Sequence, residues 1–324
     1  MATAENRAAI EFERQATPAR SVGAGSRAMI IGFAWAALTV AIFSGWFVIT
    51  RFSVTRELRV WDITALRFGI GAVLLSPTLL RRATRPSAAG WRQGLLFSVL
   101  WGAPFVILVA IGLRLTSAAQ AASITPTLTP VFAGLLGWLF LRQRPAGGRL
   151  IGYAAIAAGL TALVAAGAIA HGAPTPLGIL ALMLASAMWS VYTLLFGRSG
   201  MTPIQSAALI CFWSAAIFIP IYLALGLSRI ALASPREVAI QALFQGVLMS
   251  AVAVVTFNRA IAALGAAAAT AMIALLPAVA SLLAIPVLGE VPSLAEAVAI
   301  AFVVAGVVLA ARPAPKPITR MEAL

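Results

Sequence analysis

The chain is poor in the residues on which catalysis and soluble surfaces depend. Its 324 residues include one cysteine (Cys211), one histidine (His171), one lysine (Lys316) and nine carboxylates. A lone cysteine in an apolar run excludes a disulfide framework and a thiolate metal site. A lone histidine removes most metal ligation and histidine-base chemistry, so no metal and no cofactor is expected. Only 10% of the residues are charged, against about 25% in an ordinary soluble domain. A water-soluble enzyme of this length needs more charge to cover its surface. Disorder is excluded as well, because 62% of the chain is hydrophobic and the mean hydropathy is +1.01. What remains is a protein whose surface faces lipid.

What is present is a series of long apolar runs. About 20 apolar residues span a bilayer as a helix, and ten stretches meet that measure. They are 29–50, 61–80, 93–113, 117–141, 148–167, 176–196, 203–225, 237–258, 266–288 and 293–311. Residues 1–28 lack the apolar core and cleavage site of a secretory signal and read as a cytoplasmic tail; 312–324 read as a second one. Basic residues set the orientation. With the N-terminus inside, 16 fall on inner segments and six outside: Arg51, Arg56, Arg59, Arg114, Arg229 and Arg236. That bias places both termini in the cytoplasm. The net charge of +14 is explained in the same way, and no basic stretch interleaved with aromatics points to nucleic acid. Arg far outnumbers Lys, as in GC-rich bacterial genomes, and the expected location is a bacterial inner membrane.

The two halves of the chain resemble each other. Pro130, the segment Leu141 to Pro145, and Gly159 are matched by Pro277, the segment Leu288 to Pro292, and Gly306, all at an offset of 147. Gln93, Leu95, Val99 and Leu100 match Gln241, Leu243, Val247 and Leu248 at an offset of 148. Phe43-Ser44 matches Trp189-Ser190 at 146. Five spans per half is an odd number, so equivalent halves enter the membrane with opposite orientation. The expected fold is therefore an all-α polytopic membrane protein of ten transmembrane helices. It is built as two inverted five-helix repeats, 29–167 and 176–311, with a site near the midplane between them.

These marks carry a resemblance. An aromatic-small pair opens each half (Phe43-Ser44, Trp189-Ser190), a proline follows in the fourth span (Pro130, Pro277), and Gly289-Glu290 stands at the last junction. A glycine lies in each fifth span (Gly159, Gly306). Together they resemble the EamA-type ten-helix transporters of the drug/metabolite transporter superfamily, over about residues 29–311. In the first half Arg142-Gln143 stands where Gly-Glu is usual. Within the superfamily the chain looks like the YddG-like exporters of aromatic amino acids. The resemblance implies that spans five and ten are peripheral and that the others surround a central cavity.

Near mid-depth the candidate cavity residues are Phe43, Ser44, Trp46, Ser98, Trp101, Thr127, Trp189, Ser190, Gln245, Met249, Ser250 and Thr270. Neutral donors and acceptors beside aromatic faces suit a zwitterion with an apolar side chain; ordinary helix packing is the alternative for each. Pro130 and Pro277, matched in the two halves, read as hinges or cavity walls. Arg67 is the one basic residue inside a span. It either snorkels to the outer interface, paired with Asp62, or meets a substrate carboxylate. All nine carboxylates lie in tails, loops or end turns, so no acid is placed at depth to couple transport to protons. Sodium held by backbone carbonyls stays open.

Gly197-Arg198-Ser199-Gly200 matches the GxSG of intramembrane serine proteases, with His171 as its only possible base. A whole span of about 30 Å lies between the two, while proton transfer needs roughly 3 Å. The expected function is export of small neutral metabolites, foremost aromatic or hydrophobic amino acids. A monomer in the lipid bilayer would carry them by alternating access, as a uniporter or exchanger without proton coupling. Exporters of other amphipathic solutes or drugs, or a sugar-type carrier, are the alternative.

Overall fold

A computed structural model of the chain describes residues 22–141, 147–171, 175–264, 272–273 and 275–311. Among them there is helix and no strand. Eight helices are long and apolar enough to cross a membrane, and Leu276–Leu288 and Leu294–Ala310 are shorter apolar helices. These are the ten expected elements. The first helix is Val22–Val54, the second Val60–Leu80 and the fourth Ala118–Leu141. The fifth is Gly147–His171, the sixth Pro176–Phe196 and the seventh Pro203–Ala224. The first helix begins inside the stretch read as a tail, at Val22.

The starts of these helices are written locally. Pro176, Pro203 and Pro235 each occupy a first helical turn, where a missing N–H costs nothing. Thr202 and Gln205 form a capping box. Ser87 accepts from the Gly90 N–H at 3.1 Å. The ninth helix ends on Gly289 at φ 71°, a left-handed cap that a side chain would strain.

Two helices are not continuous. The third is split into Ala88–Trp101 and Ala103–Leu115 by Gly102, at φ −97° and ψ −138°. Pro104 lies in the first turn of the second piece, so it opens a helix here and does not kink one. The Ala103 N–H freed by the break donates to Ser214 Oγ at 3.1 Å. A Cβ on Gly102 would collide with that hydroxyl and with the Ser98 carbonyl. The eighth helix runs through Pro235–Gln241, a π-helical segment Ala242–Val252, and Ala253–Leu264. The 148-residue offset sets Gly102 opposite Ser250 in that segment. Both halves thus interrupt their third helix at the same place, and interrupted helices line transporter sites.

The packing repeats the internal symmetry. Helices two and seven pack on each other, as do five and ten. The fourth packs on the sixth as the ninth packs on the first; the first packs on the eighth as the sixth packs on the third. The fifth and tenth meet through the matched glycines. A Cβ on Gly159 would lie 2.8 Å from Val303 Cγ2 and 2.9 Å from the Val303 nitrogen. One on Gly306 would lie 2.8 Å from the Ile156 nitrogen. Ile156 and Val303 are themselves related by the 147-residue offset, so the two contacts are one contact repeated. Small residues here let the backbones touch, which drives association where lipid is as apolar as leucine. Gly152 joins the same seam against Ala310, whereas Gly148 faces open space.

Gly159→Leu and Gly306→Leu should each lower thermal stability in detergent by about 1–3 kcal/mol or more. Gly148→Leu should leave the unfolding midpoint unchanged. Equal midpoints for all three would contradict this seam.

Candidate functional site

Arg67 lies on the second helix, about 10 Å along it from Val60 at 1.5 Å per residue. Its side chain does not snorkel. Arg67 is 5% exposed, with its guanidinium carbon 5.2 Å from the Trp46 ring and 5.7 Å from the Phe68 ring. The expected partner is engaged elsewhere. Asp62 Oδ1 accepts from the Tyr222 hydroxyl at 2.6 Å and the Arg229 N–H at 2.8 Å, and its Oδ2 accepts from the Arg59 N–H at 2.8 Å. With its carboxylate satisfied, Asp62 has no need of Arg67. The Arg67 Nη1 is buried without a hydrogen-bond partner.

Facing Arg67 across a narrow cleft are Trp101, Met249, Ser250 and Cys211. Trp101 Nε1 is likewise buried without a partner. The Trp101 ring is the hub of an aromatic group, stacked on Tyr192 at 4.8 Å and on Trp189 at 6.0 Å, with Phe105 6.3 Å away. The cleft holds about 20 Å³, enough for about one water, so its centre is closed in this conformation. Two unpaired N–H donors, aromatic faces and a thioether thus meet beside the interrupted third and eighth helices. Ser250 Oγ, in the π-helical segment, donates to the Arg67 carbonyl at 3.3 Å. Met249, Ser250 and Trp101 line the cleft, and Trp189 meets it through the Trp101 ring.

Trp46 and Gln245 belong to a neighbouring network. Trp46 Nε1 donates to Gln245 Oε1 at 2.7 Å, and Gln245 Nε2 donates to Thr50 at 2.8 Å and to Gln241 Oε1 at 3.1 Å. Gln241 Nε2 donates in turn to the Ile49 carbonyl and to Ser53. This fully paired chain joins the first helix to the eighth. The remaining hydroxyls serve carbonyls. Ser98 donates to Leu95, Thr127 to Ser123, Ser44 to Leu276, and Ser190 to Thr129 and Ser186. Phe43 is half-buried against the core. Pro130 stands inside the fourth helix, whereas Pro277 stands in the first turn of the ninth. Thr270 lies outside the described residues.

A roomier cavity than the cleft lies at the end of the bundle read as outer and holds about 310 Å³. Arg51 Nε meets Glu290 Oε1 at 2.5 Å, the Arg51 Nη1 donates to the Leu113 carbonyl, and the Ala118 N–H donates to Glu290 Oε2 at 3.0 Å. Arg114, Gln120, Gly167 and Glu296 complete the charged and polar wall. Sequence reasoning assigned Arg51 and Glu290 to separate loops. The sequence signal for this contact is the Gly289-Glu290 junction, which sets an acid at the outer end of the ninth helix. Asp62, Glu237 and Glu296 sit in end turns, as expected, but are buried there at 0–4% exposure. Glu296 achieves this by capping its own helix through Ser293. Among the described residues, no cluster of His, Cys, Asp and Glu fits a metal ion.

A bundle of apolar helices in two symmetric halves, with interrupted helices at its centre, is an architecture that many membrane transporters share. The EamA-like transporter family profile matches twice, over residues 30–165 and 176–312, and the chain belongs to that family. Among solved structures, one described only as "Crystal structure of protein" shares the fold. It aligns at a TM-score of 0.58 and 20% identity, over 88% of this chain and 95% of its own. No curated protein matches the chain.

Gln245→Ala would leave the Trp46 N–H unpaired in a buried site, at a cost of about 1–3 kcal/mol. It should lower the unfolding midpoint measured by tryptophan fluorescence. Ser98→Ala, which loses only a bond within its own helix, should stay within about 0.5 kcal/mol. The reverse ranking would show that Gln245 is not structural.

Proposed function

We propose that the protein exports small zwitterionic metabolites, foremost aromatic or hydrophobic amino acids, across a bacterial inner membrane. It works by alternating access, as a uniporter or exchanger without proton coupling. The observation that carries this reading is the buried Arg67 guanidinium, unpaired within an aromatic cleft between the two halves. A substrate carboxylate on Arg67 would satisfy its free N–H, with Trp101 Nε1 as a second donor. Such charge-assisted bonds are about twice as strong as neutral ones. The substrate's apolar tail would lie among Trp189, Tyr192, Phe105 and Met249, where ring faces and sulfur favour an aromatic ring.

Two further observations support the class. The sequence places every carboxylate in a tail, loop or end turn, so none stands at mid-depth to carry a proton past the cleft. The hydroxyls of Ser98, Thr127 and Ser190 donate to backbone carbonyls; among the described residues Ser123 and Thr125 are the buried hydroxyls left without a partner, fewer than the several hydroxyls of a sugar would call on. The cleft must widen to admit a substrate, as alternating access requires, and the breaks at Gly102 and in the π-helical segment are the places for that movement.

Counterflow in proteoliposomes with labelled phenylalanine, threonine and a sugar tests the reading. Phenylalanine should exchange fastest and the sugar not at all, and an imposed pH gradient should leave the phenylalanine rate unchanged. Uptake that follows the pH gradient would overturn the uncoupled mechanism, and sugar exchange would overturn the substrate class.

A further inference from the structure

The outer cavity is distinct from the cleft around Arg67, and its lining is unusual for a membrane protein. Two guanidinium groups, Arg51 and Arg114, and two carboxylates, Glu290 and Glu296, line it together. The charges balance. An isolated anion or cation entering this space would leave one charge uncompensated, whereas a molecule carrying one of each would not. We propose that the cavity is a second binding site, for the head group of a zwitterionic α-amino acid, recognised by the Arg51–Glu290 pair.

The pair is arranged for exchange with such a ligand. Arg51 and Glu290 are each one-quarter or less exposed, and each is anchored by a backbone bond that does not depend on the other. Arg51 is held by the Leu113 carbonyl and Glu290 by the Ala118 N–H. An α-carboxylate can therefore take the guanidinium and an α-ammonium the carboxylate, while both side chains keep their position. Arg114 stands beside the site with no ion pair of its own among the described residues. A glycine keeps the space open, since a Cβ on Gly167 would run into Gln120 Nε2 and lie 3.2 Å from Glu296 Oε1. At about 310 Å³ the cavity is of a size that takes small ligands.

The site also joins the two halves. Arg51, Leu113 and Ala118 belong to the first repeat, and Glu290 belongs to the second. A ligand that takes over either charge replaces a direct bond between the halves by one through itself. The inference rests on the reading above only for the identity of that amino acid, because the charge balance stands without it.

Equilibrium binding of labelled glycine and labelled phenylalanine to the full chain in lipid nanodiscs separates the two sites. Glycine carries the head group alone and should bind once, displaced by phenylalanine. Acetate and methylammonium should each compete at least tenfold more weakly. Phenylalanine should bind twice per chain. Glu290→Gln should abolish glycine binding and leave one phenylalanine; Arg67→Met should keep the glycine and also leave one phenylalanine. Gly167→Leu, which fills the space without altering a charge, should abolish glycine binding and covers the case in which Glu290→Gln fails to fold. Absence of glycine binding in the unmodified chain, or unchanged affinity in both Glu290→Gln and Gly167→Leu, would overturn the proposal. Glycine bound in a Glu290-dependent manner, with phenylalanine bound only at that same site, would uphold the outer site and refute the central one.

Discussion

A guanidinium buried among helices without a carboxylate is the constraint around which the rest of this molecule is arranged. Placing Arg at the centre of a membrane helix costs about 2.5–3.5 kcal/mol on the insertion scale. The aromatic contacts with Trp46 and Phe68 return only part of that. The acid on the same helix does not complete the pair: five residues apart, Asp62 and Arg67 point about 140° away from each other round the helix. Instead the two Asp62 oxygens are given to Tyr222, Arg229 and Arg59, and Glu290 is given to Arg51. The acids are used to tie helix ends together, and Arg67 is left with an open N–H in the middle. On the reading proposed above, this is an incomplete ion pair whose missing half is the substrate.

The repeat explains why the incomplete site lies where it does. Opposite insertion of two similar halves brings the third and eighth helices to facing positions, and each is interrupted at the equivalent residue. The break at Gly102 and the π-helical segment around Ser250 require different local chemistry. One uses a glycine and a borrowed serine hydroxyl, the other a wider helical turn. Their shared effect is to interrupt the regular hydrogen-bond ladder beside Arg67 and Trp101. The peripheral seam of the fifth and tenth helices is the opposite case, where Gly159 and Gly306 meet the symmetry-related residues Val303 and Ile156 and the repeat is kept. Rigidity lies at that edge and irregularity at the core, a division suited to halves that move against each other.

Much of the fold was legible because hydropathy, helix punctuation and the 147-residue offset are all local or periodic signals. The ten elements, the odd number per half and the matched glycines came from these alone. The breaks did not. Pro104 stands within the expected span 93–113, and the structure is needed to show Gly102 ending one helix before it; no residue in Ala242–Val252 announces a π-helix. The site was legible in part. Trp101, Trp189, Met249 and Ser250 were selected by depth and type, and depth follows from the span limits. Gln245 and Trp46, selected by the same rule, bond each other while the Trp46 ring also meets Arg67, a pairing that depth alone does not announce. Arg51 and Glu290, 239 residues apart, meet only once the whole bundle is assembled.

Replacing Arg67 by methionine tests the central claim most directly, because the account assigns opposite signs to its two readouts. Removing an unpaired buried charge in favour of an apolar chain of similar length should raise the thermal unfolding midpoint. Loss of a charge-assisted bond to the substrate should at the same time slow phenylalanine counterflow about 10- to 100-fold. A lower midpoint with transport unchanged would contradict the account, since it would make Arg67 a structural residue whose partner is already present in the protein.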